Sequence, residues 1–359
     1  MRISIILGTR PEIIKFSPII RECERLGLDY FVLHTGQHYS YSMDEVFFEQ
    51  LELPRARCNL DVGSGTHAEQ TGKMLIGIEK VLSRERPDVV LVEGDTNTVL
   101  AGALAAAKLG FKVGHVEAGL RSYDRRMPEE INRVLADHCS NLLFAPTAKA
   151  RETLLGEGID ARAIYVTGNT VVDAVYQNLE ISKRKGEAWD ALGIEDGDYL
   201  LATIHRQENV DDKTRFHGIL EGLQMVQEEF GFPVVYPIHP RAKKQLDTFK
   251  LAANGVKVVE ALDYLSFLQL ENNAKLVLTD SGGVQEEACI LRVPCVTLRD
   301  NTERPETLEV GSNVLAGADP TEIVKKAGLM LAKNRDWENP FGDGKAGEKI
   351  IGILREEFA

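Results

Sequence analysis

The sequence predicts an α/β protein made of two Rossmann-like domains, each built on a doubly wound parallel sheet. Short runs of β-branched residues alternate with longer patterns of helical periodicity from one end of the chain to the other. Strict alternation of strands and helices produces parallel sheets that helices cover on both faces. The length of 359 residues favours two domains, since one domain usually holds ~100 to 200 residues.

Eleven short runs are the candidate strands. They occupy residues 3–7, 30–33, 89–92, 113–116, 142–145, 164–166, 199–203, 234–237, 256–259, 276–279 and 295–298. Between them, apolar residues recur at helical spacing, as in residues 67–87, where Pro87 is the expected stop. We expect the first domain to span residues 1–168 and the second to span residues 169–344, with the division near Gly168 and Asn169.

Composition and charge exclude several classes of protein. The net charge of −13 argues against a nucleic-acid-binding scaffold, which needs a basic face. The longest apolar stretch, residues 98–110, is short of the ~20 residues that cross a bilayer, and the first residues fit a strand better than a signal peptide. The five cysteines are scattered without a Cys-x-x-Cys pair, which indicates a reducing, cytoplasmic protein rather than a disulfide or metal framework.

The chemically interesting residues directly follow candidate strands. In open parallel sheets, ligands bind at the carboxyl ends of the strands, so all these groups are in binding position. We therefore expect a site in the cleft between the two domains, with three groups from the first domain and two from the second. The groups are Gly8-Thr9-Arg10, Gly94-Asp95, Glu117, His205-Arg206 and Ser281-Gly282-Gly283.

Two strand-to-helix turns are typical of sites that bind a phosphorylated ligand. Backbone amides at the glycine-rich helix start of Ser281, Gly282 and Gly283 form an anion cradle, although a tight turn with no ligand has the same pattern. The first turn, "LGTRPEIIKF", lacks the second and third glycines of the dinucleotide fingerprint, so no nicotinamide cofactor is expected. Its Arg10 and Lys15 suit a phosphorylated ligand, or they are solvated charges at an exposed helix start.

Carboxylates and a histidine gather in three further segments, "VEGDTNT", "HVEAGLRSYDRRMPEEINR" and "TIHRQEN". Such a group indicates general acid and base catalysis, a hard-metal site, or surface charges and structural ion pairs. Several neighbouring arginines disfavour a bound cation, so we predict no metal. The acidic and histidine side chains are Asp95, Glu117, Glu129, Glu130 and His205.

Seven motifs carry a family resemblance. They are, in order, GTRPEIIK, GDTNT, HVEAGLRS, MPEEINR, HRQEN, TDSGGVQEE and RDNTERPE. Together they cover nearly the whole chain and resemble the signature set of the non-hydrolysing UDP-N-acetylglucosamine 2-epimerases. That family is similar in fold to glycosyltransferase-B proteins. The resemblance implies a C-terminal helix, here residues 345–357, within a segment 345–359 that packs back on the first domain. It also implies a UDP-sugar substrate and a homodimer.

The resemblance assigns expected roles to individual residues. It places Arg10, the Ser281-Gly282-Gly283 loop and Arg304 near the nucleotide, Phe267 against the uracil, and Glu287 on the ribose hydroxyls. The anion cradle would thus hold the pyrophosphate, and the nearby Glu287 carboxylate would accept hydrogen bonds from the ribose. The catalytic acids map to Asp95, Glu117 and Glu129, with Glu130 as the alternative to Glu129, and His205 lies near the phosphates.

The same resemblance leaves the sugar and the regulation open. Some bacterial members carry a second, regulatory UDP-sugar pocket built partly from a "QHR" segment, where this chain has Gln37, His38 and Tyr39. Relatives that act on UDP-diacetamido uronic acids share much of the pattern. The same motifs are compatible with a UDP-sugar glycosyltransferase and with a non-catalytic UDP-sugar sensor.

The predicted reaction is inversion at carbon 2 by elimination and re-addition. No carbonyl acidifies the carbon 2 hydrogen, and no nicotinamide site is expected that could create a transient ketone. A base would therefore remove this proton while UDP leaves carbon 1, which forms a glycal. UDP then adds again and a proton arrives on the other face.

Overall fold

A computed structural model describes residues 1–37, 41–186, 188–194 and 197–359 of the chain. The chain divides into two compact units. Unit 1 comprises Met1–Gln177 and Phe341–Ala359, and unit 2 comprises Asn178–Pro340. The segment at residues 37–41, which corresponds to the regulatory "QHR" motif, lies largely outside the described residues.

Thirteen strands and sixteen α-helices form within the described residues, together with a 3-10 turn at Ala161–Ala163. The strands are β1 (Arg2–Leu7), β2 (Asp29–His34), β3 (Cys58–Asn59), β4 (Val89–Glu93), β5 (Lys112–Val116), β6 (Leu142–Ala145), β7 (Ile164–Val166), β8 (Leu200–Thr203), β9 (Val234–Pro237), β10 (Val256–Val259), β11 (Leu276–Thr279), β12 (Cys295–Thr297) and β13 (Asn313–Leu315). The helices are α1 (Arg10–Leu26), α2 (Tyr41–Gln50), α3 (His67–Glu85), α4 (Asn97–Lys108), α5 (Pro128–Cys139), α6 (Ala148–Gly156), α7 (Thr170–Lys183), α8 (Ala188–Leu192), α9 (Gln207–Val210), α10 (Lys213–Phe230), α11 (Pro240–Phe249), α12 (Tyr264–Asn273), α13 (Gly282–Ile290), α14 (Pro305–Glu309), α15 (Pro320–Leu331) and α16 (Ala346–Glu357).

Each unit contains one parallel sheet with Rossmann strand order. The order is β3-β2-β1-β4-β5-β6-β7 in unit 1 and β10-β9-β8-β11-β12-β13 in unit 2, and the strand pairs run parallel. The chain reverses its direction of winding between β1 and β4, and again between β8 and β11. Such switch points are where open α/β sheets bind ligands. The predicted fold class is confirmed.

The central strands are buried along their length because helices cover both faces of each sheet. The five residues of β4 and the four residues of β11 are all buried. Strands of this kind appear in a sequence as continuous apolar runs, which is why their positions were predictable. All eleven candidate strands are confirmed. The structure adds β3 and β13, edge strands of two and three residues.

The last helix, α16, packs on α1 within unit 1. Its first backbone amides, those of Ala346 and Gly347, donate to the buried Asp173 carboxylate of α7 at 3.1 and 2.9 Å. A carboxylate at a helix start satisfies otherwise unpaired amides and interacts favourably with the helix dipole. Gly347 also allows close packing, because a Cβ atom there would lie 3.2 Å from Pro18 of α1.

None of the described helices has the length and apolarity needed to cross a membrane. The five cysteines are free thiols. Cys23, Cys289 and Cys295 are buried, and burial raises the pKa of each of these thiols, so they are inert core residues rather than reactive groups.

Candidate active site

The first strand-to-helix turn of unit 1 is held by a buried carboxylate. Glu12 accepts hydrogen bonds from the backbone amides of Gly8 at 2.5 Å and Thr9 at 2.9 Å, and from the Thr96 hydroxyl. Thr96 is the residue that caps α4, so Glu12 joins the two turns that follow β1 and β4. Burial raises the pKa of Glu12 to about 7, although these hydrogen bonds lower it.

Arg10 is the first residue of α1 and is half-buried. Its guanidinium lies over the ring of Phe47, 5.7 Å from the ring centroid. A cation over an aromatic face is attracted to the ring and loses rotational freedom. Arg10 therefore stands at the switch point of unit 1 with a restricted orientation.

Lys15 lies between two buried carboxylates. Its ammonium forms an ion pair with Glu117 and lies 3.2 Å from Oε1 of Glu93. Asn169 donates a further hydrogen bond to Glu117 at 3.2 Å. Burial raises the pKa of Glu93 well above its ordinary value, and the nearby Glu117 adds to this effect while Lys15 opposes it. The expectation that Lys15 binds the nucleotide stays a prediction, and its positive charge also serves the Glu117 carboxylate.

Glu117 itself adopts an unusual backbone conformation. Its φ of 68° lies in the left-handed region, which costs of order 1–3 kcal/mol for a residue other than glycine. Strained conformations of this kind cluster at functional sites, because the surrounding structure must hold the side chain in a required direction. The ion pair with Lys15 and the bond from Asn169 supply that restraint.

A polar cavity of about 490 Å³ lies at the helix starts of unit 1 and brings Asp95 and Glu129 together. Asp95 accepts a hydrogen bond from Arg133 at 2.5 Å, and Asn132 donates to the Asp95 carbonyl at 2.9 Å. The lining residues are Gln37, Ser64, Gly65, His67, Gln70, Asp95, Thr96, Asn97, Pro128, Glu129 and Asn132.

Glu129 and Glu130 occupy different environments at the start of α5. Glu130 is buried and accepts hydrogen bonds from the amides of Ser122 and Tyr123 at 2.8 and 3.0 Å, and from Arg133 at 3.1 Å. It therefore holds the preceding loop. Glu129 is exposed and lines the cavity beside Asp95. This geometry favours Glu129 as the candidate for proton transfer.

A buried ionic network beneath this cavity was not predicted. His115 of β5 bonds Asp137 at 2.6 Å through one ring nitrogen and the Gly94 carbonyl at 2.9 Å through the other. Asp137 also pairs with Arg121 at 2.7 Å. Burial alone would lower the pKa of His115, but the Asp137 carboxylate and the Gly94 carbonyl raise it above its ordinary value. The network supports the turn that carries Asp95. A polar residue inside an apolar strand run was the available signal.

His205 follows β8 at the switch point of unit 2 and is positioned by Asp280. The backbone amide of His205 donates to both carboxylate oxygens at 3.1 Å, and its ring Nδ1 lies 3.1 Å from one of them. The amide of Arg206 and the side chain of Asn209 donate to the same group at 3.0 and 3.1 Å. Burial alone would raise the pKa of Asp280. The hydrogen bonds and charge of these partners outweigh burial, so the pKa lies below its ordinary value. Asp280 lies within the quoted TDSGG motif, yet its role was not predicted.

The glycine-rich turn after β11 has the geometry of an anion cradle. Ser281 caps α13, and its hydroxyl accepts from the Val284 amide at 3.5 Å. Gly283 is exposed, and a Cβ atom there would meet only the Ser281 hydroxyl, at 3.9 Å. This position is the second residue of α13, at the positive end of the helix, where anions bind.

Two acidic residues of α13 have different partners. Glu286, in the middle of α13, pairs with Arg304 at 3.1 Å. Glu287 accepts a hydrogen bond from the Tyr264 hydroxyl at 3.2 Å. Phe267, also on α12, is half-buried against the core of unit 2. The other predicted nucleotide ligands of unit 2, apart from His205 after β8, thus lie on α12, on α13 or its N-cap, or at the start of α14.

The chain matches known proteins over its full length. A family model described as UDP-N-acetylglucosamine 2-epimerase matches residues 21–355. The UDP-N-acetylglucosamine 2-epimerase of Methanocaldococcus jannaschii is 58% identical over 99% of both chains. The UDP-2,3-diacetamido-2,3-dideoxy-D-glucuronate 2-epimerase of Pseudomonas aeruginosa is 43% identical over 99% of both chains.

Solved structures agree with this result. A crystal structure of the M. jannaschii UDP-GlcNAc 2-epimerase, in complex with UDP-GlcNAc and UDP, has a TM-score of 0.88 and covers 99% of this chain and 100% of that one, at 58% identity. A glycosyltransferase from Rickettsia africae, 12% identical, has a TM-score of 0.59 over 99% of this chain and 98% of that one, which shows a shared fold. The family match over residues 21–355 and the relative at 58% identity show that the chain belongs to the UDP-N-acetylglucosamine 2-epimerase family.

Proposed function

We propose that this protein reversibly epimerises UDP-N-acetylglucosamine at carbon 2 to give UDP-N-acetylmannosamine. The observation that carries the proposal is the division of chemistry between the switch points of the two sheets. Unit 1 presents Asp95 and Glu129 in one polar cavity, and unit 2 presents a helix start with room beside Gly283 for an anion. Elimination and re-addition of UDP needs both.

The barrier of this reaction arises where charge and protons move. Negative charge develops on the departing pyrophosphate, and preorganised donors stabilise such charge by ~3 to 4 kcal/mol each. We assign this task to Arg10, Arg304, His205 and the amides of the Ser281-Gly282-Gly283 turn. Lys15 adds positive charge on the side of unit 1.

Proton transfer on two faces of the sugar needs two carriers. We assign this task to Asp95, Glu117 and Glu129. Positioned acids and bases contribute ~10² to 10⁴-fold in rate. The Lys15 ion pair favours the ionised form of Glu117, as a base requires. We assign Phe267 to the uracil and Glu287 to the ribose.

Heavy water tests this mechanism without any added cofactor. Protons held on carboxyl oxygens exchange rapidly with solvent, so the epimerised product should carry deuterium at carbon 2, and traces of free UDP and glycal should escape. The anomeric region of the NMR spectrum reports both product and label. Product that keeps its original hydrogen at carbon 2 would rule out elimination, and substrate consumed only in the presence of an acceptor would indicate glycosyl transfer.

A related UDP-diacetamido uronic acid is the second candidate substrate, because the P. aeruginosa relative that acts on such a sugar is 43% identical to this chain. Parallel assays with the two UDP-sugars at equal concentration decide between them. We expect turnover of UDP-N-acetylglucosamine to be faster. A higher kcat/KM for the uronic acid would reverse the assignment.

We also propose that the protein is a cytoplasmic homodimer. Apolar side chains are exposed around a pocket of about 390 Å³ on α5 and the loop before it. Tyr123, Ile131 and Leu135 are 76%, 42% and 45% exposed, and adjacent exposed apolar side chains are typical of association surfaces. Light scattering should give twice the chain mass for the wild type and for the control Leu329→Asp. It should give a lower mass for the double variant Ile131→Asp, Leu135→Asp.

A further inference from the structure

The polar cavity of unit 1 contains a histidine to which the proposed reaction gives no role. His67, the first residue of α3, is exposed and lines this cavity together with Asp95 and Glu129. The cavity volume of about 490 Å³ lies within the ~300 to 1,000 Å³ that small-molecule sites occupy. The cavity therefore has room for a hexose beside the two acids.

A chain of hydrogen bonds beneath this histidine fixes the orientation of the amide that contacts it. The Gln70 amide nitrogen donates to the carbonyls of Gln37 and Gly63, both at 2.9 Å, so the Gln70 oxygen is left as an acceptor. Asn97 donates to that oxygen at 3.1 Å, and the Asn97 oxygen accepts from Asn132 at 3.4 Å. Backbone carbonyls thus determine, through Gln70, which way the Asn97 amide faces.

The Asn97 amide selects the tautomer of His67. The Asn97 nitrogen lies 3.2 Å from the ring Nδ1, and the Asn97 oxygen is farther from it, at 3.4 Å. Because an amide nitrogen only donates, Nδ1 is the acceptor, and the single ring proton of the neutral imidazole is on Nε2. The hydrogen bonds of this ring within the described residues are those of Nδ1. Nε2 is therefore a donor available to a ligand in the cavity.

The charges around the cavity disfavour a sugar that is itself an anion. Asp95 and Glu129 are acidic, and no lysine or arginine is present among the described residues that line the cavity. Arg133 pairs with Asp95 at 2.5 Å and with Glu130 at 3.1 Å, so its charge is already shared between two carboxylates. A third carboxylate, brought in by a substrate, would be repelled by the acids of the lining.

We propose that His67 is a specificity-determining residue, which donates from Nε2 to an oxygen at the carbon 6 end of a neutral hexose. This role rests on the proposed function, in which Asp95 and Glu129 transfer protons at carbon 2. Carbon 5, which bears carbon 6, lies opposite carbon 2 in a pyranose ring. Acids at one end of the cavity therefore direct carbon 6 toward the other end.

The contacts of Asn97 place His67 at that other end. Asn97 bonds His67 directly, and it bonds Asn132, which in turn donates to the Asp95 carbonyl at 2.9 Å. A uronic acid would carry its carboxylate at carbon 6, where the neutral histidine offers one hydrogen bond and no charge. The residue at position 67 thus decides between a neutral hexose and a uronic acid.

Calorimetry with UDP, UDP-N-acetylglucosamine and the UDP-diacetamido uronic acid tests this role. The wild type should bind UDP-N-acetylglucosamine at least about tenfold more tightly than the uronic acid, because like charges repel. His67→Leu removes the donor and should weaken UDP-N-acetylglucosamine about three- to tenfold, while UDP, which has no hexose, stays within about twofold. His67→Gln keeps a neutral donor and should bind all three ligands within about twofold of the wild type.

A charge introduced at the same position gives a second, independent measurement. His67→Lys supplies a cation for the sugar carboxylate and should raise the affinity for the uronic acid, relative to UDP-N-acetylglucosamine, by at least about tenfold. His217→Leu is the control, because His217 is an exposed histidine of α10 in unit 2. The control should bind all three ligands as the wild type does.

The results separate the role of His67 from the proposed function. Unchanged affinity of His67→Leu for UDP-N-acetylglucosamine would show that the hexose does not reach this residue. An equal loss for UDP in that variant would show a purely structural role, and unchanged selectivity of His67→Lys would place carbon 6 elsewhere. Each of these results, or a wild type that binds the uronic acid more tightly, overturns the role of His67. A wild type that binds UDP-N-acetylglucosamine but does not epimerise it overturns only the proposed function.

Discussion

Replacement of Gly283 with valine tests the anion cradle at the start of α13. Gly283 is the second residue of α13, and a Cβ atom there would meet only the Ser281 hydroxyl, at 3.9 Å. The backbone φ is not positive at this position, so a branched residue can adopt it without strain. The valine side chain would occupy the space through which a pyrophosphate oxygen approaches the backbone.

The structure allows both effects of Gly283→Val to be sized. Helix propensity changes by less than about 1 kcal/mol, which shifts the thermal midpoint of a domain this size by a few degrees. Loss of one backbone hydrogen bond to a charged oxygen costs about 1.5–3 kcal/mol, or about 10- to 150-fold in UDP affinity. Binding should therefore fall by far more than stability.

Isothermal calorimetry with UDP and a thermal melt measure the two effects on Gly283→Val. Gly352→Val in α16 is the matched control, because a Cβ atom there meets nothing within 4 Å, and its UDP affinity should equal that of the wild type. Gly282 is unsuitable, since a Cβ atom there would contact the Glu303 carboxylate that pairs with Arg299 at 2.7 Å. A folded Gly283→Val protein with wild-type UDP affinity would refute the cradle.

Three further predictions concern proton transfer, pH and stability. Asp95→Asn, Glu117→Gln and Glu129→Gln should each lower kcat by about 10²- to 10⁴-fold and leave UDP affinity within about threefold. Normal turnover at saturating substrate in one of these variants would show that the replaced residue is not catalytic. Burial raises the pKa of Glu12 from 4.5 to about 7. The protonated side chain therefore contributes its full stability below pH 4.5, and this contribution is lost as the pH rises through 7. Chemical denaturation should show a fall of about 3 kcal/mol in the free energy of unfolding of the wild type over this range, and no such fall in Glu12→Gln. Asp173→Ala leaves two amides of α16 without their acceptor and should lower the free energy of unfolding by about 2–4 kcal/mol, whereas a change below about 0.5 kcal/mol in urea titrations would show that water replaces the carboxylate.

Strand positions were predictable because burial on both faces leaves a local pattern. The runs that became β4 and β11 contain almost only apolar residues, and the turns that follow them carry Asp95 and Ser281. The edge strands β3 and β13 were missed, with two and three residues, whereas the edge strands β7 and β10 were predicted from their β-branched runs. Their pairing depends on the neighbouring strands, which a local pattern does not contain.

The candidate acids were predictable as a set, but their environments were not. Glu129 and Glu130 are adjacent letters in one motif. On a helix, consecutive residues point in different directions, so one lines the cavity and the other is buried with the Ser122 loop. Two adjacent glutamates at the start of a helix have the same polarity, so the sequence pattern cannot show which of them faces the protein interior.

The sequence by itself determined the fold class, the placement of the reactive turns directly after strands, and the motifs that identify the family, whereas the strand order came from the structure. These features follow from hydrophobic periodicity and from short stretches of adjacent residues. Only the tertiary structure decided which charges meet. Lys15 pairs with Glu117 across 102 residues, Glu12 accepts from Thr96 across 84 residues, and Asp280 holds His205 across 75 residues. Such partners lie close because separate strands pair in one sheet, and the pKa of each buried group depends on those partners and on its burial. A local sequence pattern specifies neither.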